Sequence, residues 1–114
     1  MANKPKRLAG PVALTTTMTT NVYNPVTNLY GLIRGIEICN KTASAATFSL
    51  WVGATGGNAA GTELFNAYSV PANSTYTWYA PGQGLRMDTT DFLVGGASAN
   101  TALTATVRGE EAAV

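Results

Sequence analysis

Apolar and polar residues alternate along most of this chain with a period close to two. The clearest stretch is Ala-Thr-Phe-Ser-Leu-Trp-Val at 46–52, in which Phe48 and Leu50 fall on one side and Trp51 on the other. A period of two places successive side chains on opposite faces of a β-strand. The alanines of the chain do not follow the i, i+3, i+4 spacing of a helix. The pattern therefore predicts strands and no helix.

Turn signals separate the alternating stretches at short intervals. Asn24-Pro25, Pro71-Ala-Asn-Ser74 and Ala80-Pro81-Gly82 are examples, and Gly95-Gly96 is expected to end another strand. The predicted strands lie at about 12–23, 30–40, 46–52, 63–70, 75–79, 85–87, 92–94 and 101–108. Seven or eight short strands with turns every eight to twelve residues are typical of a sandwich.

The predicted fold is all-β, a single antiparallel β-sandwich or jelly-roll-like domain. Residues 12–109 would form the sandwich, 1–11 an N-terminal arm outside it, and 110–114 a C-terminal tail without a pattern. The glycine-rich stretch 53–61 is expected to be a hairpin loop. In the strand at 30–40, Arg34 interrupts the alternation and is expected near a rim, while Cys39 is expected to pack as a small apolar residue.

Composition excludes several classes of function. Only 11% of the 114 residues are charged, against roughly 25% in typical soluble domains. A net charge of +1 gives no basic excess for specific nucleic-acid binding. The absence of histidine excludes Ser-His-Asp and Cys-His catalysis, and one cysteine excludes an internal disulfide. We expect no metal site and no cofactor, and no apolar stretch approaches the roughly 18–20 residues of a membrane helix.

The carboxylate pair Asp88 and Asp91 is the one arrangement that could suggest acid–base chemistry. Aspartate is an ordinary turn residue, and both residues lie in a predicted turn. The sequence therefore predicts that the protein is not an enzyme.

Two groups of residues are candidates for contact with a partner. The first is aromatic and could stack on a sugar or a protein; Trp51 could face outward or be buried between the sheets. The second is basic and lies in the predicted arm, where it could dock on an acidic partner or on nucleic acid. The candidates are Trp51, Tyr76, Trp78, Tyr79, Lys4, Lys6 and Arg7.

Several segments resemble a small β-sandwich module of tailed-bacteriophage virion proteins. The likeness covers about 21–109 and lies in a strand ending in Cys39-Asn40, the strand Ala45-Ala-Thr47, the turn Val70-Pro-Ala-Asn-Ser74 and the stretch 104–109. These are fold-forming positions, so the resemblance transfers no functional residue.

The resemblance implies a structural protein located in the virion. We expect capsid decoration (cement) as its role, with a small tail or head–tail protein and a carbohydrate- or receptor-binding module as alternatives. The expected partners are other copies of this chain, a trimer being one candidate assembly, and a major virion protein such as the capsid protein. A membrane is not expected as a partner.

Overall fold

The protein is an all-β, antiparallel sandwich, as the alternation predicts. The structure, a computed structural model, describes residues 4–53 and 63–113. Nine strands lie in these residues: β1 (Lys4–Ala13), β2 (Thr20–Tyr23), β3 (Leu29–Asn40), β4 (Ala46–Gly53), β5 (Glu63–Val70), β6 (Ser74–Tyr79), β7 (Leu85–Met87), β8 (Phe92–Ala97) and β9 (Leu103–Ala113). Among the described residues, no helix has the length and hydropathy needed to span a membrane.

The strands form two sheets that pack face to face. Sheet A has the order β1-β9-β3-β6, with the short β7 also paired to β3, and sheet B has the order β2-β8-β4-β5. Consecutive strands β5 and β6 are therefore edge strands of different sheets on the same side of the sandwich. The strands β1 and β2 are the edges on the other side.

The core lies between the two sheets and is filled by the inward-facing positions of their central strands. Phe48 and Leu50 of β4 face inward, as the alternation predicts, and both are almost fully buried. Opposite them are buried positions of β3 and β9, namely Ile33, Ile36, Ile38, Leu103, Ala105 and Val107.

A β-bulge at Arg34 explains the interrupted alternation of β3. Ile33 pairs with Gly109 and Gly35 pairs with Arg108, so Arg34 is the extra residue. The bulge shifts the alternation by one residue, which lets both Ile33 and Ile36 face the core while Arg34 stays exposed. The same alternation places Cys39 on the outer face, where it is exposed. The expectation that Cys39 packs inside is therefore wrong.

Within the described residues, the predicted N-terminal arm and C-terminal tail both belong to sheet A. From Lys4 onward the arm is β1, which pairs antiparallel with β9, and β9 itself continues to Ala113. Pairing with a neighbouring strand gives hydrogen-bond partners to backbone N–H and C=O groups that would otherwise bond to water. The proposed boundaries at 11 and 110 therefore do not separate the sandwich from outer segments.

The single strand predicted at 12–23 is divided where the chain crosses from one sheet to the other. Leu14 N–H donates to Leu103 O of β9, and Thr15 O accepts from Ala97 N–H of β8, both within 2.9 Å. The crossing segment passes so close to β8 that a Cβ at Gly96 would overlap Met18 and the backbone of Thr15. The glycines expected to end β8 are thus inside it, as positions of close approach.

The glycine-rich stretch between β4 and β5 falls mostly in 54–62, outside the described residues. The two flanking strands pair antiparallel.

Asn40 joins the turn that follows β3 to the turn that follows β5. Its side-chain amide donates to Ser44 O at 2.9 Å and Val70 O at 3.0 Å, and its carbonyl oxygen accepts from the N–H and hydroxyl of Thr42. The Asn40 side chain is almost fully buried. One residue thus links the end of β3 to the end of β5 just before Pro71.

Replacing Asn40 with alanine should destabilise the fold strongly. The change removes the side-chain donor to the buried Val70 O and the acceptor of the partly buried Thr42 N–H, at a cost of about 1–3 kcal/mol for each group left unsatisfied. Urea unfolding of Asn40→Ala should therefore show a clear drop in the free energy of unfolding. Asn66→Ala, at an exposed position of β5, is the matched control and should change it by less than about 0.5 kcal/mol. Equal effects of the two variants would contradict this role.

Candidate contact surface

The four aromatic candidates do not form one platform. Trp51 lies on the outer face of sheet B and not between the sheets, yet it is only 9% exposed. Tyr76 and Trp78 lie on the inner face of β6 and pack against the core. Only Tyr79, on the outer face of sheet A, is largely exposed, at 78%. A sugar cannot therefore stack on these four rings together.

Tyr76 and Trp78 belong instead to an aromatic seam that closes the sandwich between β5 and β6. The seam consists of Phe48, Phe65, Tyr68, Tyr76 and Trp78. The rings of Tyr68 and Tyr76 lie 4.5 Å apart, and Phe65 meets Trp78 edge-on at 5.7 Å. Such pairs contribute about 0.5–1.5 kcal/mol beyond their buried area. Phe65 and Tyr68 were not among the candidate residues, because their strand shows no clean alternation.

Burial raises the pKa of the Tyr76 hydroxyl, and the neighbouring Tyr68 raises it further through charge and a hydrogen bond. The seam therefore favours the neutral form of Tyr76 and serves packing.

Of the basic candidates, Lys6 is paired with one carboxylate of the same chain. Lys6 Nζ lies 2.9 Å from Glu111 Oε1, whose other oxygen accepts a hydrogen bond from the Tyr23 hydroxyl at 2.9 Å. Glu111 is only 14% exposed. This group fastens β1 to the end of β9 and to the core. The side chain of Lys4 lies outside the described residues.

Arg7 lines a shallow basic depression together with Lys6, Arg108 and Gly109. Arg7 lies directly opposite Arg108 in the β1–β9 register, and like charges at such positions repel. Arg108 is compensated by Glu37, since its Nη2 lies 2.8 Å from Glu37 Oε1. Among the described residues no carboxylate lies within ion-pair distance of Arg7, so the depression keeps one uncompensated positive charge.

The remaining charges are mostly paired within the chain. Arg34 Nε lies 3.2 Å from Glu110 Oε2, and Arg86 Nη2 lies 2.9 Å from Asp88 Oδ1. The Arg86 guanidinium also stacks over the Tyr30 ring at 4.1 Å. Exposed pairs of this kind add little stability, but they neutralise the surface.

Asp88 and Asp91 hold the turn between β7 and β8. Asp91 Oδ2 accepts from the Asp88 N–H, and the Asp91 N–H donates to Asp88 O, both at 2.9 Å. Asn24 supports this turn by donating to Thr89 O and Asp91 O. In the described residues no group of three or more His, Cys, Asp or Glu side chains is placed to bind a metal. These contacts support the interpretation of both aspartates as turn residues.

Comparison with known proteins finds no matching family model, no matching curated protein and no matching solved structure. The resemblance to phage virion modules therefore stays a prediction from the residues quoted above.

The Tyr23–Glu111 contact should make the fold sensitive to alkaline pH. Burial, followed by the hydrogen bond and negative charge of Glu111, raises the pKa of Tyr23 well above its usual value. The neutral tyrosine therefore stabilises the fold fully below about pH 10, the ordinary tyrosine pKa. That stability is lost as pH rises further, because the unfolded chain ionises first.

Tyr23→Phe tests this by chemical unfolding from about pH 8 to 12. At neutral pH the variant should lose about 1.5–3 kcal/mol, typical of a hydrogen bond to a charged group. Above about pH 10 its stability should fall less steeply than that of the wild type. Tyr79→Phe, at the exposed position, is the control and should keep the steep fall. Parallel curves for Tyr23→Phe and the wild type would contradict the linkage.

Proposed function

We propose that this chain is a non-enzymatic structural protein of a tailed-bacteriophage particle, and specifically a capsid decoration protein. The proposal rests on the resemblance of its strand and turn segments to virion sandwich modules. The proposed binding mode rests on one observation, the positive charge of Arg7 in the basic depression, which no carboxylate of the described residues compensates. In this view the depression docks on a carboxylate-bearing surface of the major capsid protein.

The charge distribution supports an adhesive role. Four cations are paired with carboxylates of the same chain, so most of the surface offers neutral packing. Charged residues are also depleted at the cores of protein interfaces. A carboxylate bound by Arg7 would relieve the repulsion between Arg7 and Arg108 and could accept two parallel hydrogen bonds.

The alternatives differ in how far the structure supports them. A small tail or head–tail protein would use the same surfaces, and the location of the chain in the particle distinguishes it from a decoration protein. The carbohydrate-binding alternative is weaker, because its four aromatic residues lie on three different surfaces.

Mass spectrometry and imaging of purified phage particles test the proposal at its first level. The chain should be present in many copies on the head. Its absence from particles would overturn the structural role, and its confinement to the tail would replace decoration by the tail alternative.

Charge reversal at Arg7 tests the docking surface. Because β1 is part of sheet A, a point substitution is preferable to deleting the N-terminal residues. Particles stripped of the chain should rebind Arg7→Glu at least about tenfold more weakly than the wild type, a change of about 1.4 kcal/mol. Lys41→Glu, an equal reversal at an exposed position after β3, should rebind normally. Equal rebinding of both variants would show that the depression is not the contact.

A further inference from the structure

The free edge of β6 differs from the other three main edges of the sandwich. Register shifts interrupt β1 and β2 in their pairing with β9 and β8, and two shifts interrupt β5 in its pairing with β4. Pro5 and Pro11 also remove donors from β1. Bulges and prolines of this kind protect edges against added strands. By contrast, β6 pairs with β3 over six consecutive residues without a shift.

The alternation of hydrogen bonds between β3 and β6 shows which backbone groups of β6 point outward from the sheet. Ala80 N–H donates to Arg34 O at 2.9 Å, which continues the β3–β6 register by one pair. Hydrogen-bonded pairs alternate along an antiparallel ladder, so Trp78, Tyr76 and Ser74 also bond to β3. The N–H and C=O groups of Thr75, Thr77 and Tyr79 therefore point away from β3, and no described strand pairs with them.

The side chains at this edge favour an apolar and uncharged partner. Strand β6 has the sequence Ser-Thr-Tyr-Thr-Trp-Tyr, which lacks charge and proline and is rich in residues that favour strands. Among the described residues, two of the three large hydrophobic side chains that are exposed lie beside it, Tyr79 at 78% and Tyr68 at 43%. The edge thus combines free backbone groups with exposed aromatic surface.

We propose that β6 pairs with β6 of a second copy, antiparallel and about a two-fold axis at Thr77. In this register Thr77 faces Thr77 of the second copy, and Thr75 faces Tyr79. All three outward-pointing residues of each strand then enter hydrogen-bonded pairs. Residues directly opposite each other in antiparallel strands point to the same face of the sheet, and in this register inward-facing residues lie opposite inward-facing residues. The inner face of one sheet A therefore continues the inner face of the other. The proposal goes beyond the phage function and does not depend on it.

The same register places aromatic residues together across the axis. Tyr76 of one copy lies opposite Trp78 of the other, twice, at non-hydrogen-bonded positions where side chains come closest. On the outer face, Tyr79 lies over Thr75 of the second copy, beside Cys39 of that copy's β3. No charge is brought against a like charge within the paired strands. A second copy is favoured as the partner because its β6 supplies an uncharged, proline-free strand whose aromatic residues meet those of the first copy in this register.

Sedimentation equilibrium of the wild type should give a mass twice the 11.8 kDa of one chain. Thr77→Pro should give the mass of one chain, because it removes an outward N–H and leaves the ladder to β3 intact. Thr77→Val, which keeps the N–H, should remain a dimer. Thr77→Lys places two like charges on the axis and should also give a monomer, so it serves if Thr77→Pro does not fold.

Disulfide cross-linking tests the register itself in a Cys39→Ser background. Thr77→Cys should cross-link under mild oxidation, because Cα atoms of a hydrogen-bonded pair lie about 5.5 Å apart. Thr106→Cys is the matched control, since Thr106 lies in the same cross-strand row two strands away. Its two copies would be about 24 Å apart at about 4.8 Å per strand, so it should not cross-link. A monomeric wild type, a dimer that survives in folded Thr77→Pro, or the absence of the Thr77→Cys cross-link would overturn the proposal.

Discussion

The antiparallel pairing of β3 with β9 supports every other part of sheet A. These two strands pair from Leu29 and Ala113 at one end to Asn40 and Leu103 at the other. Strand β1 is attached only to β9, while β6 and β7 are attached to β3. The bulge at Arg34 sets the faces of both strands, so that the buried isoleucines of β3 meet the apolar positions of β9. The outward positions fixed by the same pairing place Glu37 beside Arg108.

Strands with clean local alternation could be predicted from the sequence, and strands that depend on a distant partner could not. The alternation around Phe48 and Leu50 predicts β4 correctly, because one face meets the core and the other does not. Residues 4–13 contain two prolines, a glycine and three basic residues, which locally favour an arm. They form β1 because β9 supplies backbone partners about a hundred residues away. The last residues of β9 were missed for the same reason.

The candidate contact residues show how far a face assignment can predict exposure. Alternation placed Trp51 on the side opposite the core, yet this side of sheet B also carries the buried Val94 and the crossing segment near Gly96. The exposure of a side chain on the outer face of sheet B depends on which other segment of the chain covers that face. The periodicity of a strand does not show which segment this is. Arg7 was singled out for its charge alone. Its lack of an ion-pair partner among the described residues follows from register, since Arg108 lies opposite and Glu37 is bound to Arg108.

The two edges of sheet A offer different physical means of association. The β1 edge has bulges and prolines, so it disfavours strand addition, but it carries the basic depression. The β6 edge is regular and uncharged, so it offers backbone hydrogen bonds and aromatic area. Attraction between exposed charges is screened within about 10 Å at 0.1 M salt, whereas backbone pairing with aromatic burial depends little on salt. The two contacts proposed above would therefore respond differently to salt. Pairing at β6 would persist as the salt concentration rises, and docking at the basic depression would weaken.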